Sequence, residues 1–227
     1  MKKSQLLILG LVITLAIFAL ATVAGKYFTL ESSFFPNSFI THTVMLVLTV
    51  AVIFGLKKYV PFRMAMPWPT SIWKPALFGF LSAVIVNILL AVITVLAGGN
   101  VEAHPLVEAS TPLQTFLFIF IYASIAEEML LRGFLQNMLS PLHDRGIRFF
   151  KVRLSLPVIL SAVVFGLIHL VLLTSGAGGF LVVRVVIFTT ILGLFAGYYQ
   201  EKYNNFSYAV IVHMAGNLMG LVGALIS

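Results

Sequence analysis

Seven apolar segments, each close to the length that crosses a lipid bilayer, constrain this chain more than any other feature. A helix rises about 1.5 Å per residue, so roughly 20 residues span a hydrocarbon core that is about 30 Å thick. Water is absent from that core, so the backbone of a spanning segment must satisfy its hydrogen bonds internally, as a helix does. The chain is 60% hydrophobic and only 9% charged, which supports this interpretation. The segments are 6–24, 39–56, 75–97, 113–139, 156–173, 180–199 and 208–226.

These segments predict an all-α protein, a polytopic transmembrane bundle of about seven helices. We expect a single membrane domain, with three spans in residues 1–112 and a four-span core in residues 113–227. Glycines four residues apart, Gly193 with Gly197 and Gly216 with Gly220, predict close helix packing in that core, because small residues let helix backbones approach in lipid. We interpret segment 6–24 as the first span rather than as a leader cleaved after Ala24, because it is longer than the apolar part of a typical signal peptide.

The basic residues predict how the helices cross the membrane. Most of them fall at one end of the seven-span scheme, and by the positive-inside rule that end is cytoplasmic. The protein is therefore expected in the cell (cytoplasmic) membrane, with the N-terminus in the cytoplasm and the C-terminus outside. The net charge of +7 does not indicate a nucleic-acid partner, because the basic residues are spread between the apolar segments. Those at the predicted cytoplasmic end are Lys2, Lys3, Lys57, Lys58, Arg63, Lys74, Arg145, Arg148, Lys151, Arg153 and Lys202.

Charged residues interrupt the fourth apolar segment, in the stretch IAEEMLLRGF at 125–134. A charged side chain at the centre of a membrane helix costs about 2.5 to 3.5 kcal/mol, so these residues indicate a functional site. At about 100° per residue, Glu128 and Arg132 are separated by about 40°, which is the geometry of an i,i+4 ion pair. Glu127 is about 140° from Arg132 and is left without that partner.

Two later segments add His169 and the pair His213 and Asn217, which share one helix face because they are four residues apart. A buried carboxylate can act as general base towards water, and a histidine can share that water or protonate a leaving group. An amide and a second histidine can stabilise an oxyanion, at about 3 to 4 kcal/mol for one such donor. The helix rise places these side chains at a similar depth, in the cytoplasmic half of the bundle. The chain has no cysteine, which excludes a thiolate nucleophile or metal ligand.

These motifs resemble the CAAX processing and bacteriocin processing family (CPBP, also called ABI) of intramembrane proteases, which includes the CAAX prenyl endopeptidases. The family pattern is EExxxR, FxxxH and HxxxN on three separate transmembrane helices. In this chain it corresponds to Glu127-Glu128 with Arg132, to Phe165 with His169, and to His213 with Asn217, and the resemblance covers about residues 113–226.

The resemblance implies a glutamate-dependent intramembrane endopeptidase that needs no metal or cofactor. It implies that Glu127 and His169 activate water, and that His213 and Asn217 stabilise the oxyanion. It also implies that Arg132 holds the architecture through Glu128, and Phe165 belongs with these supporting residues. The expected partners are the lipid bilayer and a membrane-associated protein or peptide substrate. Prenylated CAAX proteins are substrates of the eukaryotic branch, and the residues do not select these over a bacteriocin precursor or another membrane-associated peptide.

Three alternatives stay open. Two histidines and a carboxylate can also form an open zinc site, which predicts a zinc-dependent membrane peptidase. Some members of the family that the motifs resemble are linked to bacteriocin immunity. This chain could by analogy be a non-proteolytic binding protein. Buried acids and histidines also build proton relays in transporters. Outside the motifs, we expect His42, His104 and His143 to be structural, Asn87 to hydrogen-bond between helices, and Arg184 to extend to the membrane interface.

Overall fold

Eight helices and one short β-hairpin form the protein in a computed structural model, which describes residues 2–28, 30–102 and 104–226. Six of the helices are long and apolar enough to cross a membrane, and the last contributes a shorter apolar stretch, Ser207–Val222. The all-α polytopic bundle predicted from the apolar pattern is confirmed, and the protein is a multi-pass membrane protein. The helices are α1 (Lys3–Tyr27), α2 (Ser38–Gly55), α3 (Pro69–Leu96), α4 (Pro105–Glu108), α5 (Pro112–Gln136), α6 (Leu156–Ser175), α7 (Gly179–Tyr203) and α8 (Ser207–Ile226).

Helix α5 is irregular where it carries the acidic motif. Its turns widen to π geometry at Thr115–Ala123 and again at Met129–Gln136, and one regular α-helical stretch, Ser124–Glu128, lies between them. Widened π turns are frequently found at functional sites, because they displace side chains from the regular helical positions. The two glutamates therefore lie at the end of this α-helical stretch, directly before the second widened segment.

Helix α6 begins with a cap and ends with a change of helix type. The Ser155 hydroxyl accepts a hydrogen bond from the Val158 amide at the start, which satisfies one of the free N–H groups of the first turn. From His169 the helix tightens to 3₁₀ geometry and stops at Gly176, which has φ 82°. Glycine adopts this left-handed conformation without the steric cost that a side chain brings. His169 thus lies at the junction of the two helix types.

A two-stranded antiparallel hairpin, which the apolar pattern did not indicate, joins α5 to α6. Its strands are β1 (Gly146–Phe149) and β2 (Val152–Ser155), paired from Gly146 with Ser155 to Phe149 with Val152. The hairpin carries several of the basic residues that predict the cytoplasmic side. We call this end of the bundle the hairpin end.

The other end of the bundle gathers the loops before α2, after α3 and before α7. Gln114 at the start of α5 donates hydrogen bonds to the carbonyls of Ser33 and Phe34, and the Gly178 amide donates to the Glu102 carboxylate. We call this end the opposite end. Arg184 donates to the backbone carbonyl of Glu102 there, so its side chain is held by the loop.

The N-terminal helices share one apolar core with α5 and α6. Ile17 of α1 and Met45 of α2 are buried in the same cluster as Leu131 and Phe134 of α5. A Cβ atom on Gly10 of α1 would lie 3.3 Å from Leu135 Cδ1, so the two helices pack closely. The predicted hydrogen bond of Asn87 to another helix is wrong, because its amide donates to the Ala83 carbonyl one turn earlier in α3. An amide side chain that makes its hydrogen bond within its own helix needs no polar partner on a neighbouring helix.

Candidate active site

The two glutamates of α5 have different surroundings. The Glu128 side chain is completely buried, whereas that of Glu127 is 18% exposed. Arg132 Nη1 donates a hydrogen bond to Glu128 Oε1 over 2.9 Å, so the predicted i,i+4 ion pair is confirmed. Glu127 has no contact of this kind with Arg132 among the described residues, and its carboxylate is the more accessible of the two.

The Arg132 guanidinium lies in a space bounded by two other helices. Its Cζ atom is 4.8 Å from the centroid of the Phe165 ring on α6, which is a cation–π contact. On the α7 side, a Cβ atom on Gly193 would collide with Arg132 Nη2 and would lie 3.1 Å from Ala162 Cα of α6. The close approach of α7 to α6 agrees with the predicted glycine motif. The glycine also makes room for the arginine, which the spacing of the glycines did not indicate.

His213 of α8 is bound to Glu128. Its Nδ1 lies 2.8 Å from Glu128 Oε1, and because a carboxylate accepts, Nδ1 is the donor. The other ring nitrogen, Nε2, lies 3.7 Å from Glu127 Oε2. The buried glutamate therefore orients His213 so that Nε2 faces the accessible glutamate.

His169 of α6 is oriented by its own helix. Its Nδ1 donates to the Phe165 carbonyl over 2.8 Å, which leaves Nε2 with a lone pair in the neutral ring. His169 and Glu127 lie close enough to interact electrostatically. The Phe165 ring packs against both histidines, with centroid distances of 5.2 Å to His169 and 5.3 Å to His213. Phe165 therefore holds both imidazoles and the Arg132 guanidinium in place.

Asn217 completes the set of residues from the motifs. Its Nδ2 donates to the Ser124 hydroxyl over 3.0 Å, and that hydroxyl donates to the Phe120 carbonyl. Ser124 precedes Glu127 by one turn of α5, so Asn217 meets α5 beside the glutamates. The structure thus brings together all of the residues predicted from the motifs, which are Glu127, Glu128, Arg132, Phe165, His169, His213 and Asn217.

Three further residues join the site and were not predicted. Ser124 positions Asn217 by accepting its hydrogen bond. His42 of α2 places Nε2 3.4 Å from Glu127 Oε1, which is a long hydrogen bond. His104, in the loop before α4, is affected by the charges of His169 and Glu127; burial, followed by the neighbouring His169, lowers its pKa to about 4. None of the three belongs to a spaced motif. The sequence marked Ser124 and His42 only as polar residues in apolar helices, and His104 only as a histidine in a loop.

The depth of the polar residues stays a prediction. They are expected in the half nearest to the basic loops, which is the hairpin end. His42, which contacts Glu127, lies in the second turn of α2, which begins at Ser38 near the opposite end.

The same side chains bear on the zinc alternative. In the part of the chain that the structure describes, no group of three or more histidine, aspartate or glutamate side chains is arranged to hold a metal ion. His213 and His169 each use one ring nitrogen for a hydrogen bond within the protein. Peptide cleavage in the presence of a zinc chelator tests the zinc alternative.

Residues 109–219 match a protein family described as "Type II CAAX prenyl endopeptidase Rce1-like". The matched segment begins just before α5 and ends within α8, and it contains all seven residues from the sequence motifs. His42 and His104 lie outside it. No curated protein and no solved structure matches the chain.

Proposed function

We propose that the chain is an intramembrane endopeptidase in which Glu127 is the general base, because residues 109–219 match the type II CAAX prenyl endopeptidase family. The proposed reaction is hydrolysis of a peptide bond in a membrane-associated protein or peptide, with a prenylated CAAX-type sequence as the first substrate to test. We place the protein in the cell membrane, with the N-terminus and the hairpin end in the cytoplasm, as the basic residues predict.

The difference in exposure between the two glutamates carries this proposal. Glu128 is completely buried and Arg132 and His213 share its Oε1 atom, whereas Glu127 is 18% exposed and faces histidines. A general base must reach the proton that it removes, directly or through one water. Glu127 satisfies that requirement and Glu128 does not.

In the proposed reaction, a water molecule lies between the Glu127 carboxylate and His169 Nε2. Glu127 takes one proton from the water, and the water oxygen forms a bond to the scissile carbonyl carbon. The tetrahedral intermediate then breaks the C–N bond, and the proton held by Glu127 passes to the leaving amine. The products are a carboxylate-terminated peptide and an amine, and Glu127 returns to its ionised form.

The oxyanion of that intermediate requires donors on the other side of the carbonyl. Asn217 uses one amide hydrogen for Ser124, and the second remains for the oxyanion. His213 donates from Nε2 when its ring carries both protons, because Nδ1 is bound to Glu128. Donors held in place before the reaction stabilise the developing charge without reorganisation.

The test is cleavage of a farnesylated CAAX peptide, and of a pool of membrane-associated peptides, by the purified full chain in detergent. We compare wild type, Glu127→Gln and wild type with a zinc chelator. Glu31→Gln removes a carboxylate from the exposed loop before α2 and serves as the matched control. We expect cleavage by wild type and by Glu31→Gln, no effect of the chelator, and no cleavage by Glu127→Gln.

The other outcomes identify the alternatives. Loss of cleavage with the chelator would indicate zinc chemistry. A folded wild-type protein that cuts none of the peptides would favour a non-proteolytic binding protein. Cleavage that survives Glu127→Gln would remove Glu127 from the role of base.

A further inference from the structure

His42 lies outside the segment that matches the family, yet its ring contacts the proposed base. We propose that His42 is a positioning residue for the reaction, which holds Glu127 Oε1 so that Oε2 faces the water and the substrate. This inference rests on the proposed function. It assigns a role in the site to α2, a helix of the N-terminal part of the chain.

The contact defines which nitrogen of His42 carries the proton. The Glu127 carboxylate only accepts hydrogen bonds, so His42 Nε2, at 3.4 Å from Oε1, is the donor. His42 Nδ1 is buried and has no hydrogen-bond partner among the described residues. When the neutral ring carries its proton on Nε2, Nδ1 is an acceptor. The ring then has no N–H group without a hydrogen-bond partner. The surroundings of His42 therefore fit a ring that donates only to Glu127.

The two oxygens of Glu127 then have different roles. Oε1 faces His42, whereas Oε2 lies 3.7 Å from His213 Nε2, which is too long for a hydrogen bond. Oε2 is consequently the oxygen that can accept a proton from water. Without a partner on Oε1, the carboxylate could rotate and exchange its oxygens between these positions.

Helix α2 is attached to α5 beside this contact, which keeps His42 in place. The Thr43 hydroxyl lies 2.8 Å from the Tyr122 hydroxyl of α5, and the Phe39 ring stacks on the Tyr122 ring with a centroid distance of 5.5 Å. The His42 side chain is only 6% exposed. A donor fixed on two packed helices can hold a carboxylate more accurately than one on a loop.

The test compares His42→Leu, His42→Gln and the control Thr49→Val in the full chain, with kcat and KM measured separately. Thr49 is a completely buried polar residue of α2 that bonds only within its own helix, to the Met45 carbonyl. We expect His42→Leu to lower kcat by about 10- to 100-fold, because a misplaced reacting group can cost about 100-fold in rate, with KM changed less than about twofold. His42→Gln, whose amide can donate to Glu127 Oε1, should recover most of kcat, and Thr49→Val should match wild type.

A further measurement separates positioning from folding. Melting temperatures in detergent should be alike for His42→Leu and His42→Gln, although their kcat values differ. A folded His42→Leu variant with wild-type kcat would overturn the inference, and so would equal loss in the Leu and Gln variants. Failure of the proposed function is a different result, in which wild type is inactive or Glu127→Gln remains active.

Discussion

His213 donates a hydrogen bond from Nδ1 to Glu128 Oε1 over 2.8 Å, on the same oxygen that accepts a hydrogen bond from Arg132. One buried carboxylate thus connects α8 to α5 and balances the buried charge of Arg132. The Glu128–Arg132 pair, which was predicted as a contact within one helix, therefore shares its carboxylate with His213, the proposed oxyanion donor.

The first prediction concerns this buried charge. Glu128→Gln leaves the completely buried Arg132 guanidinium without a counter-ion, and we expect it to lower the free energy of unfolding by about 3 to 5 kcal/mol. The double variant Glu128→Gln/Arg132→Met removes the unpaired charge and should recover part of that loss. Unfolding in mixed detergent micelles measures both. A double variant that is no more stable than the single one would contradict this account.

The second prediction uses two glycines from the same kind of motif. Gly193→Ala places a methyl group against Arg132 Nη2 and the α6 backbone, so we expect a loss of about 1 to 3 kcal/mol in unfolding free energy and a lower kcat. Gly220→Ala meets only Val107 Cγ2, at an ordinary 3.6 Å, and should change stability by less than about 0.5 kcal/mol. Thermal unfolding and peptide cleavage distinguish the two. Equal effects at both positions would show that a methyl group at position 193 does not disturb Arg132.

The third prediction concerns Asn217 and the serine that holds it. Asn217→Ala should lower kcat by about 100- to 1000-fold, as loss of one oxyanion donor does elsewhere. Ser124→Ala should cause a smaller loss, because the amide remains but its partner is gone. Asn87→Ala removes an amide that bonds only within α3 and serves as control. If Ser124→Ala and Asn87→Ala behave alike in kcat measurements, Ser124 does not position Asn217.

The fourth prediction concerns pH. Burial and the neighbouring His169 lower the pKa of His104 to about 4, from an ordinary value of 6.5. As the pH falls below 6.5, the unfolded chain binds a proton on His104 before the folded protein does, so stability decreases down to about pH 4. His104→Gln should lessen the loss of unfolding free energy between pH 7.5 and about pH 4.5. His143→Gln, at an exposed histidine of the hairpin end, is the comparison, and an equal effect there would contradict the prediction.

The fifth prediction concerns domain organisation. We propose that the chain is a single membrane domain, because α1 and α2 share an apolar core with α5 and α6. Residues 105–227 expressed without the rest should therefore give aggregated or degraded protein on size-exclusion chromatography. Co-expression with residues 1–104 should restore a monodisperse complex. A stable, monodisperse 105–227 fragment would show that the matched segment folds independently.

Much of the fold could be predicted because membrane-spanning helices depend on local composition. Segment 39–56 became α2 at Ser38–Gly55, and segment 156–173 became α6 at Leu156–Ser175. The hairpin Gly146–Ser155 was missed, because four-residue strands in a polar connection leave no apolar run to detect. The widened turns of α5 were missed as well, since the angle of 100° per residue assumes a regular helix throughout.

The candidate site was predicted where its residues form spaced motifs and missed where they do not. The Glu128–Arg132 pair followed from helix geometry, because the two residues are neighbours on one helix. His42 was interpreted as structural because a single histidine in an apolar helix carries no spacing. Its contact with Glu127 depends on how α2 packs against α5, through Phe39 and Tyr122 among others.

The spanning helices, the local ion pair and the residues of the three motifs could be predicted from the amino-acid sequence, because they depend on composition and on neighbours within one helix. Helix packing, in contrast, brings His213 to Glu128, Asn217 to Ser124 and His42 to Glu127. These contacts join residues that are 85, 93 and 85 positions apart in the chain. Contacts over such separations are set by helix packing, with glycines such as Gly193 leaving the space for a buried charge.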